Sequence, residues 1–130
     1  MSLGWVRDIE SSTLANDTFR TVLFTAEHVQ LTVMAIPPGG EIGREVHPDN
    51  DQFLRIEQGD ARVELGSSED TVDETHEAKA DWAVIVPAGV RHNVVNIGWD
   101  DLKLYSLYAP PHHPDGTVHQ TKADSDADEG

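Results

Sequence analysis

The chain has 130 residues, with 24 Asp and Glu against nine Lys and Arg, no cysteine, and a formal net charge of −15. That length makes one domain with a sizeable core, and the missing thiol excludes disulfides, thiolate zinc sites and cysteine nucleophiles. The negative field excludes nucleic acid and anionic membrane surfaces as partners, and no apolar run reaches the ~20 residues of a membrane span. No signal peptide opens the chain, so the cytoplasm is the expected compartment. Only three basic residues are lysines, Lys79, Lys103 and Lys122. An acid-rich, lysine-poor surface suits a halophilic source, where salt screens it; plain solubility is the bland alternative.

Residues 4 to 9 read as a short leading strand, Glu10 to Asp17 as a polar loop, and Phe19 to Thr25 as a strand. His28 to Ile36 alternates, with Val29, Leu31, Val33 and Ala35 on one face and His28, Gln30, Thr32 and Met34 on the other. A period of two marks a strand whose faces see different environments. Pro37-Pro38-Gly39-Gly40 breaks it. Glu45 and His47, two apart on the next extended segment, point to one side. After a turn at Pro48 to Asp51, Gln52, Leu54 and Ile56 share a face, with Arg55 and Glu57 opposite. Gln58-Gly59-Asp60 then turns into Ala61, Val63 and Leu65, a hairpin.

Gly66 to Ala80 is acidic and turn-rich, without a strong pattern. Trp82 to Val86 is a continuous apolar run, as in a strand buried on both faces. Pro87-Ala88-Gly89 turns into His92 to Asn96, and Leu102 to Ala109 is the last strand, ended by Pro110-Pro111. No stretch keeps a helical period. Eight or more short strands with Gly/Pro punctuation predict an all-β sandwich or barrel. Residues 1–110 are expected to form the barrel, and 111–130 an irregular, acidic tail carrying His112, His113 and His119, disordered from about Ala123.

Two stretches carry a family resemblance. Gly39, Glu45, His47, Gln52 and Gly59 fall at the intervals of the first cupin motif, and Asp81, Pro87, Gly89, His92 and Asn96 at those of the second. The chain therefore resembles a small single-domain cupin, of the kind often labelled by distant similarity to mannose-6-phosphate isomerase. It departs from the pattern at Glu45, usually His, at Gln52, usually Glu, and at Asp81, usually Gly. The resemblance implies a double-stranded β-helix, or jelly roll, holding one divalent metal through Glu45, His47, Gln52 and His92. Two imidazoles and one carboxylate are the ligand types of non-haem iron sites, and they also suit manganese, nickel or zinc.

Beside that stand plainer readings: a solvated Glu45, a Gln52 bonded to backbone, and hydrogen-bonded or surface histidines. Two alternatives stay open for His112, His113 and His119. They belong either to a flap, turned at Asp115-Gly116, that brings a histidine over the barrel mouth, or to an exposed tail. His28 and His76 read as surface. The expected activity is isomerisation or dioxygenation of a small oxygen-rich ligand, with a non-catalytic sugar- or metabolite-binding module as the alternative. No catalytic residue is identified; an unligated Glu45 is the one candidate base within the motifs. Barrels of this family commonly pair, so a homodimer is expected, with Phe53 as an apolar contact.

Overall fold

The computed structural model describes residues 3–129; Met1, Ser2 and Gly130, at the ends of the two expected segments, lie outside it. In chain order the elements are α1 (Ile9–Ala15), β1 (Arg20–Thr25), β2 (Gln30–Ile36), β3 (Asp51–Gln58), β4 (Asp60–Gly66), β5 (Glu74–Lys79), β6 (Ala83–Val86), β7 (Arg91–Asn96), β8 (Leu102–Ala109), β9 (Val118–His119) and α2 (Lys122–Glu129). The strands form a six-stranded sheet, β6-β3-β8-β2-β1-β9, and a three-stranded sheet, β5-β4-β7. Every pairing is antiparallel. Aliphatic residues of both sheets meet in one core cluster. This is the all-β architecture that the alternating strands predict, in the jelly-roll form that the resemblance implies.

On β2 the interior face is the more polar one: Gln30, Thr32, Met34 and Ile36 are all 0 % exposed. The register explains why polar residues are buried there. Met34 lies opposite Leu104 of β8, which lies opposite Ile56 of β3. One row further along the strands, Thr32, Ser106 and Leu54 stand abreast, and beyond them Gln30, Tyr108 and Gln52. All nine are buried. The interior thus grades from an aliphatic plug at one end to a polar lining at the other. Each fully buried aliphatic side chain at the plugged end contributes roughly 1.5–3 kcal/mol. The polar rows forgo that gain, and the site lies at their end of the barrel.

Several expected elements differ. No strand forms over residues 4–9, and the supposed loop after them is α1. Asp8 caps this helix, accepting from Ser11 N and Ser11 Oγ at 3.0 and 3.1 Å, which satisfies a free first-turn amide. Residues 66–80 hold β5, whose burial is confined to Ala78; an edge strand with one inward side chain leaves no alternation to read. The apolar run at 82–86 is not buried on both faces, since Trp82 is 49 % and Ile85 67 % exposed. It is the edge strand β6, and only Val86 is fully buried there.

The tail segment is not irregular either. It contains β9, paired to β1, and the helix α2, opened by a reciprocal cap in which Asp124 N donates to Thr121 Oγ1 and Thr121 N to Asp124 Oδ2. Its high polarity hides that cap and the buried Ser125.

Two motif positions show why the family pattern holds or bends. Gly59 links β3 to β4 at φ +103°, and a Cβ there would lie 3.2 Å from Leu102 Cα. Asp81, where glycine is usual, also has a positive φ, +75°. Aspartate tolerates that region better than most residues, and here its carboxylate accepts from Arg55 Nη2 at 3.1 Å.

Candidate metal centre

After β2, residues 40–45 run alongside the free edge of β7. Ile42 N donates to Val94 O, and Glu45 and His92 exchange backbone hydrogen bonds at 2.9 Å in both directions. That bridge sets Glu45 directly across from His92. His47, two residues on, is held by the Gly89 amide donating to its carbonyl at 3.0 Å. The glycine turn of the second motif therefore fixes the histidine of the first.

The three side chains converge. Glu45 Oε1 lies 3.2 Å from His47 Nε2 and 3.3 Å from His92 Nε2. His47 and His92 are 5 % and 1 % exposed. One donor atom from each residue lies within 4.8 Å of the others. Donors about 2.1 Å from a common ion would stand ~3–3.5 Å apart, which matches the two Glu45 contacts.

Proton bookkeeping points the same way. The Val90 carbonyl, 3.3 Å from His92 Nδ1, can only accept, so a neutral His92 carries its proton on Nδ1. Its Nε2 lone pair then faces a carboxylate oxygen and makes no hydrogen bond. Two acceptors held this close require a cation between them, either a proton or a metal. Burial pushes the Glu45 carboxyl up, but His47 and His92 outweigh it and hold it well below the usual carboxylate range. The residues fit a divalent metal.

Gln52 is placed in the adjoining interior row. Its Nε2 donates to Ser106 Oγ at 2.9 Å, which leaves Oε1 buried without a partner. It stands opposite Tyr108, whose ring meets His47 edge-on at 5.5 Å. Gln52 is thus a polar interior residue next to the cluster, bonded to a side chain and not to backbone.

The tail completes the surroundings. The His112 ring meets His47 at 4.3 Å and stacks on Tyr108 at 5.5 Å, so the flap arrangement applies, with His112 as the histidine over the site. His113 and His119 are buried, which overturns the exposed-tail alternative. His28 and His76 are at the surface, as expected.

Gln30 holds the tail there. Its Oε1 accepts from the amides of His112 and His113 at 3.1 and 2.9 Å, and its Nε2 donates to His113 O and Thr25 Oγ1 at 2.7 and 2.9 Å. The sequence signal for this role is a glutamine on an alternating strand face that turns out to be interior. The open surface cleft of about 450 Å³ bounded by Trp82, Ile97 and Trp99 includes none of these residues.

His113 supplies a pH prediction. Burial first, then the Arg20 charge and His112, lower it from 6.5 to about 3. Its folded value lies below its unfolded value, so the unfolded chain takes up this proton first on acidification. The stability linked to neutral His113 is complete above ~6.5 and is lost as pH falls toward ~3. The melting temperature should fall over that window, and more steeply in the wild type than in His113→Leu. Equal slopes for the two proteins would defeat this.

The comparisons agree with the geometry. The Cupin domain family profile matches residues 32–108. An uncharacterized protein of Bacillus subtilis (strain 168), YrkC, is 52 % identical over 125 residues, covering 96 % of this chain and 67 % of that protein. The uncharacterized protein L612 of Acanthamoeba polyphaga mimivirus is 38 % identical over 115 residues, covering 88 % and 70 %. The crystal structure of BH2720 from Bacillus halodurans superposes with a TM-score of 0.94 at 49 % identity, covering 95 % of this chain and 93 % of that one.

Proposed function

This chain belongs to the cupin family, and from that premise we propose that it is a metal-binding cupin acting on a small oxygen-rich ligand by isomerisation or dioxygenation. The observation that carries the reading is the convergence of Glu45, His47 and His92 in a buried interior, with the unpartnered His92 Nε2 facing the Glu45 carboxylate. Iron, manganese, nickel or zinc held by these three, with Gln52 Oε1 as a fourth donor, would polarise a carbonyl oxygen of the ligand. His92 would be oriented by Val90 O, and Gln52 by Ser106. His112, at the side where the tail crosses, limits access to His47.

Metal analysis of protein purified without chelator tests the premise. A turnover screen of small sugars, keto acids and diketones with each metal tests the chemistry. A metal-free preparation that also takes up no added metal would overturn the reading. A second reading, a non-catalytic binding module, is favoured by the tail that Gln30 fastens beside the site. Binding without turnover in the loaded protein would select it.

We propose a homodimer built on the outer face of the larger sheet. Ile85, Phe53, Leu107, Leu31 and Phe24 stand in register across β6, β3, β8, β2 and β1. This apolar row carries no acid, and Ile85 at its end is 67 % exposed. Light scattering in ~1 M KCl, where charge repulsion is screened over ~3 Å, should give a dimer mass for the wild type and a monomer mass for Phe53→Glu. A monomeric wild type would sink the proposal.

For the acid excess we propose halophilic adaptation. The melting temperature should climb between ~0.1 and ~1 M KCl as self-repulsion is screened. A flat response would count against it.

A further inference from the structure

Arg20 is the largest fully buried side chain, 1 % exposed, and among the described residues no carboxylate lies within ion-pair distance of it. Its Nη1 donates to Ser125 Oγ at 2.7 Å and faces His119 Nδ1 at 3.3 Å. His119 Nε2 lies 2.9 Å from Asp128 Oδ2. That carboxylate can only accept, so a neutral His119 has its proton on Nε2 and receives the Arg20 hydrogen bond at Nδ1. The nearest negative charge thus reaches Arg20 only through an imidazole. A guanidinium taken out of water and left without a counter-charge is costly, by several kcal/mol as a rule.

Two further interior groups nearby lack partners. His113 is 8 % exposed, its Nε2 is buried without a hydrogen bond, and its ring lies 6.5 Å from that of His119. Thr32 Oγ1 is likewise unpartnered, on the strand facing Val22, two residues along β1 from Arg20. The buried Arg20 Nε also has no partner. Native interiors leave few polar atoms unsatisfied, and each calls for a reason. Arg20 Nε can only donate, and a hydroxyl and a neutral imidazole can both donate as well. The complement of such a set is an acceptor with negative charge.

The position relative to the candidate metal centre is given by a series of edge-on ring contacts. His113 touches His112 at 4.7 Å and Tyr108 at 5.2 Å, and each of these touches His47, at 4.3 and 5.5 Å. Resting on the metal-site reading above, we infer that the interior beside Arg20, His113 and Thr32 is an anion subsite, and that the ligand carries a small oxyanion at the end remote from Glu45, His47 and His92. The Arg20 charge is felt there: it is the second cause, after burial, of the low His113 value. The chain's net charge of −15 does not contradict this, because acids such as Glu69, Asp70, Asp73, Glu74, Asp124, Asp126 and Asp128 are exposed while Arg20 is enclosed.

The test is isothermal titration of metal-free protein with succinate, with inorganic phosphate and with uncharged xylitol, alongside a separate titration with manganese. Succinate or phosphate should bind, about tenfold or more tighter than xylitol, a ratio expected of charge-assisted hydrogen bonds. Which of the two binds identifies the oxyanion. Arg20→Gln should weaken that binding about tenfold or more and leave manganese affinity within about threefold.

If Arg20→Gln fails to fold, His113→Leu replaces the test. It removes a buried group that has no hydrogen bond at Nε2, so the fold should hold while oxyanion affinity drops. Ser125→Ala keeps the guanidinium and removes its contact to α2, and it should leave oxyanion affinity within about threefold. The inference is overturned if neither oxyanion outbinds xylitol, if affinity survives the Arg20 or His113 substitution, or if Ser125→Ala loses as much. Oxyanion binding without manganese binding would sink the metal reading and leave the subsite standing.

Discussion

Replacing His47 or His92 by alanine should lower divalent-metal affinity by a hundredfold or more, since even outer partners of metal ligands cost ~10–100-fold when removed. Both imidazoles are buried against the one Glu45 oxygen, so either substitution takes a ligand atom from the centre of the cluster. Glu45→Gln keeps the shape and removes the charge. It should weaken metal binding too.

Gln52→Glu is the informative opposite. It restores the carboxylate usual in the family at a position whose Oε1 has no partner, and affinity should rise by roughly tenfold if Gln52 is a donor, one added charge against a divalent ion being worth at least a charge-assisted hydrogen bond. Titration of metal-stripped protein with manganese, nickel and zinc decides it. Should His47→Ala bind as the wild type does while Gln52→Glu binds less, the metal centre as drawn is wrong.

What the sequence reveals follows from which residues carry a period. Gln52 to Ile56 alternates because one face of β3 lines the interior, whereas on β2 residues 32–36 are buried on both faces and the period marks only a difference in polarity between them. The pairing of Glu45 with His92 is legible only through motif spacing, because the segment carrying Glu45 meets β7 by isolated bridges. β5 is hidden because five of its six side chains face solvent. α2 is hidden because helical propensity gives little signal in a segment as acidic as Lys122 to Glu129, and its anchoring by Arg20 and Ser125 joins residues over a hundred positions apart. Tyr108 and Gln30 sit in plain view as strand residues, but their contact with the site depends on register across three strands.

The same register makes Gln30→Leu the substitution with the largest expected cost to the fold. Gln30 is 0 % exposed and uses its full capacity, two bonds accepted and two donated. Leucine fills similar space and supplies none of them. The amides of His112 and His113 and the carbonyl of His113 would then be left without these partners, at about 1–3 kcal/mol for each group that stays buried. The chain can avoid that cost only by releasing the tail to water.

Release has its own penalty, because Tyr108 and His47 lose the His112 ring packed on them. Either course should lower the melting temperature by roughly 10 °C or more, a few kcal/mol in a domain of this size. Hydrogen exchange separates the two courses. If the tail leaves, the His112 and His113 amides should lose protection together while the amides of β2, β3 and β8 keep theirs. If protection at 112 and 113 matches the wild type and the melting temperature is unchanged, Gln30 does not fasten the tail, and the contact between His112 and His47 must be maintained by Asn50, which donates to Pro110 O, and by ring packing alone.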